Sequence, residues 1–300
     1  MSEVPQHCGV VAVVGAPNAG KSSLVNALVG QKVAIVSAKA QTTRTRLMGI
    51  AIEGQTQLLL VDTPGIFQPR RRLDRAMVQA AWEGASGADV ILFVVDAKAG
   101  MRAGVRALHE SLKARKERKI LVLNKVDICA KDKLLGLVAE LNDDGDYEST
   151  FIVSAQSGDG VADVRHHLAS LMPKEPWHFP EDQVSNVTTR LLASEITREQ
   201  LYRQLHEELP YASTVETEKW EERRDGSAAI HQQILVERET QKAIVLGKGG
   251  ARIKEIGAAA RAELSSLLGR KIHLFLHVKV KPDWAEDREV YRDMGLDWAD

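Results

Sequence analysis

Short apolar runs organise the first half of the chain: Val10–Val14, Leu58–Val61, Val90–Val95, Ile120–Leu123 and Phe151–Val153. Each is bounded by polar or glycine-containing sequence, as strands buried on both faces of a parallel sheet are. Helix-periodic segments lie between them, at Ser23–Val29, Arg75–Trp82, Val105–Lys116 and Lys133–Leu141. This alternation predicts an α/β fold, with βα units wound around a parallel-type central sheet. Ligands of such sheets sit beyond the carboxyl ends of the strands.

The pattern changes after Met172. Pro173, Pro176 and Pro180 favour a stiff, extended connector. The expected organisation is a first domain at 1–172, a proline-rich linker at 173–182 and a smaller α+β domain with a C-terminal tail at 183–300. In that second part, Leu191–Leu209 reads as a helix closed by Pro210, and Thr214–Glu222 and Ala229–Glu237 read as strands. Lys271–Val280 alternates, with Ile272, Leu274, Leu276, Val278 and Val280 on one face. Between the second and third of these strands lie two helical segments, Gln241–Leu246 and Ala251–Leu268, joined by Gly247-Lys248-Gly249-Gly250.

Composition narrows the picture. A length of 300 residues suits two domains, and 44% hydrophobic with 27% charged residues supports a core and a solvated surface. A formal net charge of -1 excludes a global basic field, so any nucleic-acid site is local. Cys8 and Cys129 are too few for a disulfide framework and fit a reducing compartment. Met1–Gly9 lacks the basic and apolar regions of a leader, and Val90–Val95 is far too short to span a bilayer. A cytoplasmic location is expected.

The strand ends carry the chemistry. After Val10–Val14 comes Gly15-Ala16-Pro17-Asn18-Ala19-Gly20-Lys21-Ser22, then a helix start at Ser23. Strand, glycine loop and helix N-terminus cradle phosphates with backbone N–H groups; Lys21 reaches the β/γ-phosphates and Ser22 a Mg²⁺ ion. Leu58–Val61 leads into Asp62-Thr63-Pro64-Gly65, where Asp62 can hold the metal and Gly65 can bring its N–H to a γ-phosphate. Ile120–Leu123 leads into Asn124-Lys125-Val126-Asp127. Asp127 can accept from the ring N–H and exocyclic amine of guanine, a pairing adenine cannot offer. Asn124 contacts the base edge or braces the phosphate loop, and the Lys125 stem covers the ring. Phe151–Val153 leads into Ser154-Ala155, whose backbone can donate to the guanine carbonyl. In isolation each is an ordinary turn; four in this order, each at a strand end, point to GTP.

These motifs resemble those of translation-factor-like GTPases. The resemblance implies a metal-binding threonine in a mobile loop before Asp62, and Gln41-Thr42-Thr43-Arg44 offers two. Thr43 is preferred over Thr42. Ile66 stands where Ras-like enzymes place a water-orienting glutamine, so slow intrinsic turnover is expected. In related GTPases a phosphate-loop asparagine helps bind K⁺, which makes Asn18 a candidate; the alternative is that Asn18 braces the loop. The expected catalytic set is Lys21, Thr43, Gly65 and Asn18. The nucleotide contacts add Gly15, Ala19, Gly20, Ser22, Ser23, Asp62, Asn124, Lys125, Asp127, Ser154 and Ala155, with Ser22, Thr43 and Asp62 on the metal.

Two helices joined by Gly247-x-x-Gly250 resemble the type II KH domain, which clamps single-stranded RNA backbone. Lys242, Lys248, Arg252 and Lys254 surround the loop with no acid from Thr240 to Lys254, although residues 183–300 carry 18 basic and 20 acidic residues overall. Gly247, Gly249 and Gly250 join those four as expected RNA contacts. Arg70-Arg71-Arg72 reads as a solvated basic turn in preference to an RNA contact, and Trp284 and Trp298 as packing anchors.

Over nearly its whole length the chain resembles the Era family of bacterial ribosome-assembly GTPases. Shared strings include Gln41–Arg44, Pro180–Asp182, Ala193–Ile196, Glu208–Tyr211, Ile234–Arg238 and Val278–Lys281. The resemblance implies GTP/GDP and Mg²⁺ as ligands, binding to the 3′ region of small-subunit (16S) rRNA, assistance to 30S subunit assembly, a monomeric chain and peripheral inner-membrane association. A nucleotide-gated rRNA scaffold with incidental hydrolysis is the alternative. A GTPase of tRNA modification needs a partner enzyme or a terminal reactive cysteine, and neither cysteine lies near the C-terminus.

Overall fold

In the computed structural model the apolar runs form a six-stranded sheet. Its elements, in chain order, are β1 (His7–Val14), α1 (Lys21–Val29), β2 (Leu47–Glu53), β3 (Thr56–Asp62), α2 (Arg72–Ala85), β4 (Val90–Asp96), α3 (Ala103–Lys113), β5 (Arg118–Asn124), α4 (Lys131–Asp143), β6 (Ser149–Ile152) and α5 (Val161–Leu171). The spatial order is β2-β3-β1-β4-β5-β6. All neighbours are parallel except β2, which returns antiparallel on β3 through Gly54-Gln55, with Gly54 at φ 57°. The structure describes residues 5–39, 41–143, 145–206 and 208–299, with only the backbone of Asp293.

Burial explains the sequence pattern. Val11–Val14, Leu58–Val61, Val90–Val95 and Ile120–Leu123 are all buried, because helices cover both faces of the sheet. Ala81, Ala85, Val105, Leu108, Leu112, Leu137 and Leu141 from α2, α3 and α4 share one cluster with β1, β4 and β5. α1 and α5 pack together and against β2 and β3. Neither β2 nor α5 was expected from the apolar runs; β2 is an edge strand interrupted by Gly49, whose absent Cβ makes room for Val25 and Val29 of α1.

The chain divides into two compact units, Met1–Ala34 with Thr43–Asn186 and Arg292–Asp300, and Ile35–Thr42 with Val187–Tyr291. These limits differ from the expected ones, and side-chain anchors supply the reason. The proline connector is part of the first unit. Pro173 O accepts from Cys8 N at 3.2 Å. Fully buried Gln57 accepts from His178 N (2.9 Å) and Phe179 N (3.1 Å) and donates to Phe179 O (2.8 Å). Beyond it, Ile50 N donates to Val184 O (2.8 Å) and Asn186 N to Met48 O (3.2 Å), extending the sheet edge past β2. At the other end, the Arg72 guanidinium lies 4.5 Å over the Trp298 ring.

The second unit contains α6 (Thr189–Gln204), β7 (Ser213–Glu222), β8 (Ala228–Val236), α7 (Glu239–Leu246), α8 (Ala251–Leu267), β9 (Ile272–Val280) and, as far as Tyr291, α9 (Arg288–Asp293). β7 and β8 are antiparallel with a bulge between Thr217 and Lys219, and β8 and β9 are parallel. The parallel pair requires the α7–α8 crossover. α6 stops at Gln204, short of the expected Leu209: Leu205 is extended (φ -97°, ψ 155°). Leu201, Leu205 and Leu209 all enter one core cluster, so helical spacing of apolar residues outlasts the helix itself. Trp284 is buried and donates Nε1–H to Ala212 O at 3.1 Å, a packing anchor as expected.

Truncating Gln57 leaves the backbone groups of His178 and Phe179 unpaired. Gln57→Ala is expected to cost about 2–3 kcal/mol in urea unfolding and to speed proteolysis within 173–182; an unchanged midpoint and an unchanged cleavage pattern would show that the connector is held otherwise.

Candidate functional site

Between β1 and α1 the chain turns with Asn18 at φ 64° and Gly20 at φ 90°. A non-glycine residue in that region costs on the order of 1 kcal/mol, least for asparagine. Gly20 is obligatory, since a Cβ there would lie 2.2 Å from Asn124 Nδ2. It gives α1 no capping side chain. The first amides of the helix, at Lys21, Ser22 and Ser23, therefore face an anion site without internal partners. Lys21 is buried and its Nζ donates to Gly15 O and Ala16 O, both at 3.2 Å. Burial pushes this ammonium down to about 8, against the opposing pull of the Asp62 carboxylate.

The three expected metal ligands converge. Ser22 Oγ donates to Asp62 Oδ2 (2.6 Å) and lies 2.8 Å from Thr43 Oγ1, which is 3.3 Å from the same carboxylate oxygen. The other oxygen, Asp62 Oδ1, is buried with no hydrogen-bond partner. Burial raises the Asp62 carboxyl above its usual range, while Lys21, Ser22 and Thr43 pull it down. A cluster of hard oxygen donors with an unsatisfied carboxylate oxygen fits Mg²⁺. Thr42 is engaged elsewhere, its Oγ1 bonding Lys39 O (2.9 Å) and Ser37 Oγ (2.7 Å).

At Gly65 a Cβ would lie 2.9 Å from the Pro17 backbone, so the strand-end glycine presses against the phosphate loop. Ile66 N donates to Gly15 O (3.1 Å), and the Ile66 side chain is buried in the core cluster beneath the sheet. It offers nothing to a water molecule. Sequence reasoning missed Thr63, whose Oγ1 donates to Val13 O (2.7 Å) and ties the ends of β3 and β1 together.

On the base side, Asn124 braces. Its Nδ2 donates to Ala19 O (3.0 Å) in the interior, and its Oδ1 accepts from half-buried Ala155 N (3.0 Å). Ser154 N donates to Asp159 O (3.0 Å). Both backbone donors expected for a guanine carbonyl are thus already used within the chain. Lys125 stands at φ 65°, and its Nζ donates to Asn18 O (2.5 Å) and Asp96 Oδ2 (2.7 Å). Asp127 is exposed. Asp96 was not anticipated, although it ends β4 as Asp62 ends β3, and that position was its signal.

In the second unit the glycine loop joins α7 to α8. Gly247 (φ 70°, ψ 175°) ends α7 in a conformation open to glycine, and a Cβ there would lie 2.8 Å from Arg252 Cβ. Gly249 and Gly250 have φ 60° and 76°, and nothing lies within 4 Å of their missing Cβ positions. Gly250 starts α8 without a side-chain cap. Lys248 and Lys254 are exposed, Lys242 and Arg252 half-buried. Exposed Ile244 on α7 adds an apolar surface beside this loop that sequence reading did not single out. Arg70 and Arg71 are exposed, and their backbone N–H groups donate to Asp74 Oδ2 at 3.1 and 3.0 Å. That arrangement is a helix start; the solvated-turn reading fits Arg70 and Arg71 but not Arg72, which is half-buried against the Trp298 ring. Among the described residues no group of three or more His, Cys, Asp or Glu could hold a metal.

Comparison with known proteins agrees with this geometry. Residues 10–125 match the family model of a 50S ribosome-binding GTPase, and residues 208–285 that of a KH domain. The chain is 61% identical to GTPase Era of Erythrobacter litoralis over 100% of both chains. It is 56% identical to GTPase Era of Afipia carboxidovorans over 98% of this chain and 96% of that one. It is also similar to a solved structure of Era in complex with MgGDPNP and nucleotides 1506–1542 of 16S ribosomal RNA. There the TM-score is 0.91 and the identity 37%, covering 97% of this chain and 99% of the other. A solved structure of an Aquifex aeolicus Era variant bound to GDP and AlF4⁻ gives the same values. The chain belongs to the Era family and is a GTP hydrolase with a KH domain.

The geometry separates the paired threonines. Thr43→Ala is expected to lower GTP turnover at least about ten-fold and weaken its Mg²⁺ dependence, while Thr42→Ala keeps both near wild type. Measured turnover against Mg²⁺ concentration decides; equal losses in the two variants would reject the assignment.

Proposed function

We propose that this member of the Era family binds the 3′ region of 16S rRNA through its KH unit and assists assembly of the 30S subunit, with GTP hydrolysis setting the duration of binding. The observation that carries the reading is Gly249-Gly250, where positive φ and vacant Cβ space leave bare backbone open to an RNA strand. The solved Era relative holding nucleotides 1506–1542 supports the same partner. Lys242, Lys248, Arg252 and Lys254 supply phosphate contacts, and Ile244 an apolar surface for bases.

In the nucleotide unit, Lys21 and the α1 amides hold the β/γ-phosphates, Gly65 approaches the γ-phosphate and Asp127 selects guanine. Mg²⁺ held by Ser22, Thr43 and Asp62 supplies charge that neutralises the phosphate oxygens. The buried Ile66 leaves the attacking water without a side-chain partner, so intrinsic turnover is slow. In this reading Asn18 would help hold K⁺, whose positive charge would favour phosphoryl transfer. The family resemblance also implies a membrane-associated fraction, peripheral in kind; no helix among the described residues is long and apolar enough to cross a membrane.

Gly250→Asp places a carboxylate against the RNA backbone. It is expected to weaken binding of a 16S 3′-end oligonucleotide at least about ten-fold while leaving GDP affinity unchanged. Wild-type affinity should differ between GTP analogue and GDP, and RNA should shift GTP affinity by the same factor. Unchanged RNA binding in Gly250→Asp rejects the site; one RNA affinity in all nucleotide states favours a scaffold with incidental hydrolysis. For the cation, turnover is compared in K⁺ and Na⁺: wild type should be faster in K⁺ and Asn18→Ala equal in both. Four equal rates would remove K⁺ from the mechanism.

A further inference from the structure

The ammonium of Lys125 joins elements from separate strand ends. It donates to Asn18 O, in the loop after β1 (2.5 Å), and to Asp96 Oδ2, at the last residue of β4 (2.7 Å). Lys125 itself follows β5. In the sheet β4 lies between β1 and β5, and Asp96 pairs in register with Asn124. Asp96 is therefore the central anchor of a three-loop junction.

The junction falls on strained backbone. Four non-glycine residues among those described have positive φ, and two of them, Asn18 and Lys125, are joined by this single hydrogen bond. Such conformations persist where the surroundings fix them. Asp96 is itself preset: its Oδ1 accepts from Ala99 N (3.0 Å), and its carbonyl accepts from Ala99 N (3.1 Å) and Gly100 N (3.0 Å). The carboxylate is 20% exposed and the lysine 32%, so this pair is more sheltered than the surface ion pairs that contribute little. Of these two acceptors, Asp96 alone carries charge; the other is a neutral carbonyl.

We propose that Asp96 is a positioning residue for the bound nucleotide: acting through Lys125, it locks the phosphate loop to the base-recognition loop and sets how long a guanine nucleotide stays bound. It neither contacts the base nor selects it. The inference rests on the guanine-site reading above and concerns residence time within it.

The test is a chase of fluorescently labelled GDP from the full-length chain. Asp96→Asn keeps size and removes charge, and should release GDP about ten-fold faster. Lys125→Met should do the same, and the double variant should be no faster than Lys125→Met alone. The preference for GTP over xanthosine triphosphate should not move, which separates a positioning role from base selection. Asp96→Glu, which keeps the charge, should retain part of the slow release and serves with Lys125→Met if Asp96→Asn does not fold. Wild-type release by Asp96→Asn, or multiplied effects in the double variant, would overturn the proposal. Failure of the wild type to bind labelled GDP would reject the guanine reading instead.

Discussion

One buried amide holds the nucleotide site together. Asn124 is the last residue of β5, still paired with β4 through its backbone, and its side-chain amide reaches past the sheet to satisfy Ala19 O in one loop and Ala155 N in another. A buried polar group that loses its partner costs about 1–3 kcal/mol, so each loop is pinned by a penalty as well as by an attraction. The positions of Gly20, Lys21 and Ser22 follow from that pin. Gly20 has no room for a Cβ because Asn124 Nδ2 occupies it. Thr63 on Val13 O and Ile66 N on Gly15 O repeat the device between β3 and β1. The site is rigid because side chains and loop amides continue the pairing that the strands can no longer supply.

The same need for pairing converts a linker into structure. A segment with three prolines has few amide donors and little preference for helix or central strand. Residues 173–186 nevertheless join the first unit, because Gln57 offers a fixed donor and acceptor and β2 offers an open edge. Covering that edge also removes a template for unwanted strand pairing.

How much of this was legible in the sequence divides along physical lines. Strands buried on both faces announce themselves, so β1, β3, β4 and β5 were found; β6, a half-exposed edge strand, was found from its apolar run alone, and β2, an edge strand interrupted by Gly49, was not. Motifs whose residues act through fixed local spacing were legible too: Gly15–Ser22, Asp62–Gly65 and Gly247–Gly250 occupy the places expected of them. What escaped was non-local. Nothing in the string near Gln57 tells that it will meet His178, or near Arg72 that it will meet Trp298. The end of α6 failed for another reason: Leu201, Leu205 and Leu209 keep a helical interval while the backbone changes course, since burial constrains side chains and not φ and ψ. Thr43 was preferred over Thr42 from the sequence, but the different partners of their two hydroxyls are visible only in the coordinates, because adjacent identical residues differ only in direction.

The glycines of the two units separate packing from presentation. At Gly20, Gly65 and Gly247 a Cβ would strike protein atoms within 3 Å, so the fold alone accounts for them. At Gly249 and Gly250 it would strike nothing. Positive φ explains part of the choice, yet Asn18 and Lys125 show that this chain tolerates side chains in that region when something holds them. Turn glycines such as Gly54 and Gly87 share that vacancy, so in the proposed reading it is the place of Gly249 and Gly250 at the start of α8, among Lys242, Lys248, Arg252 and Lys254, that suits an outside strand. A helix start and a surrounding set of cations suit a polyanion, and the close approach that glycine permits suits a backbone rather than a base.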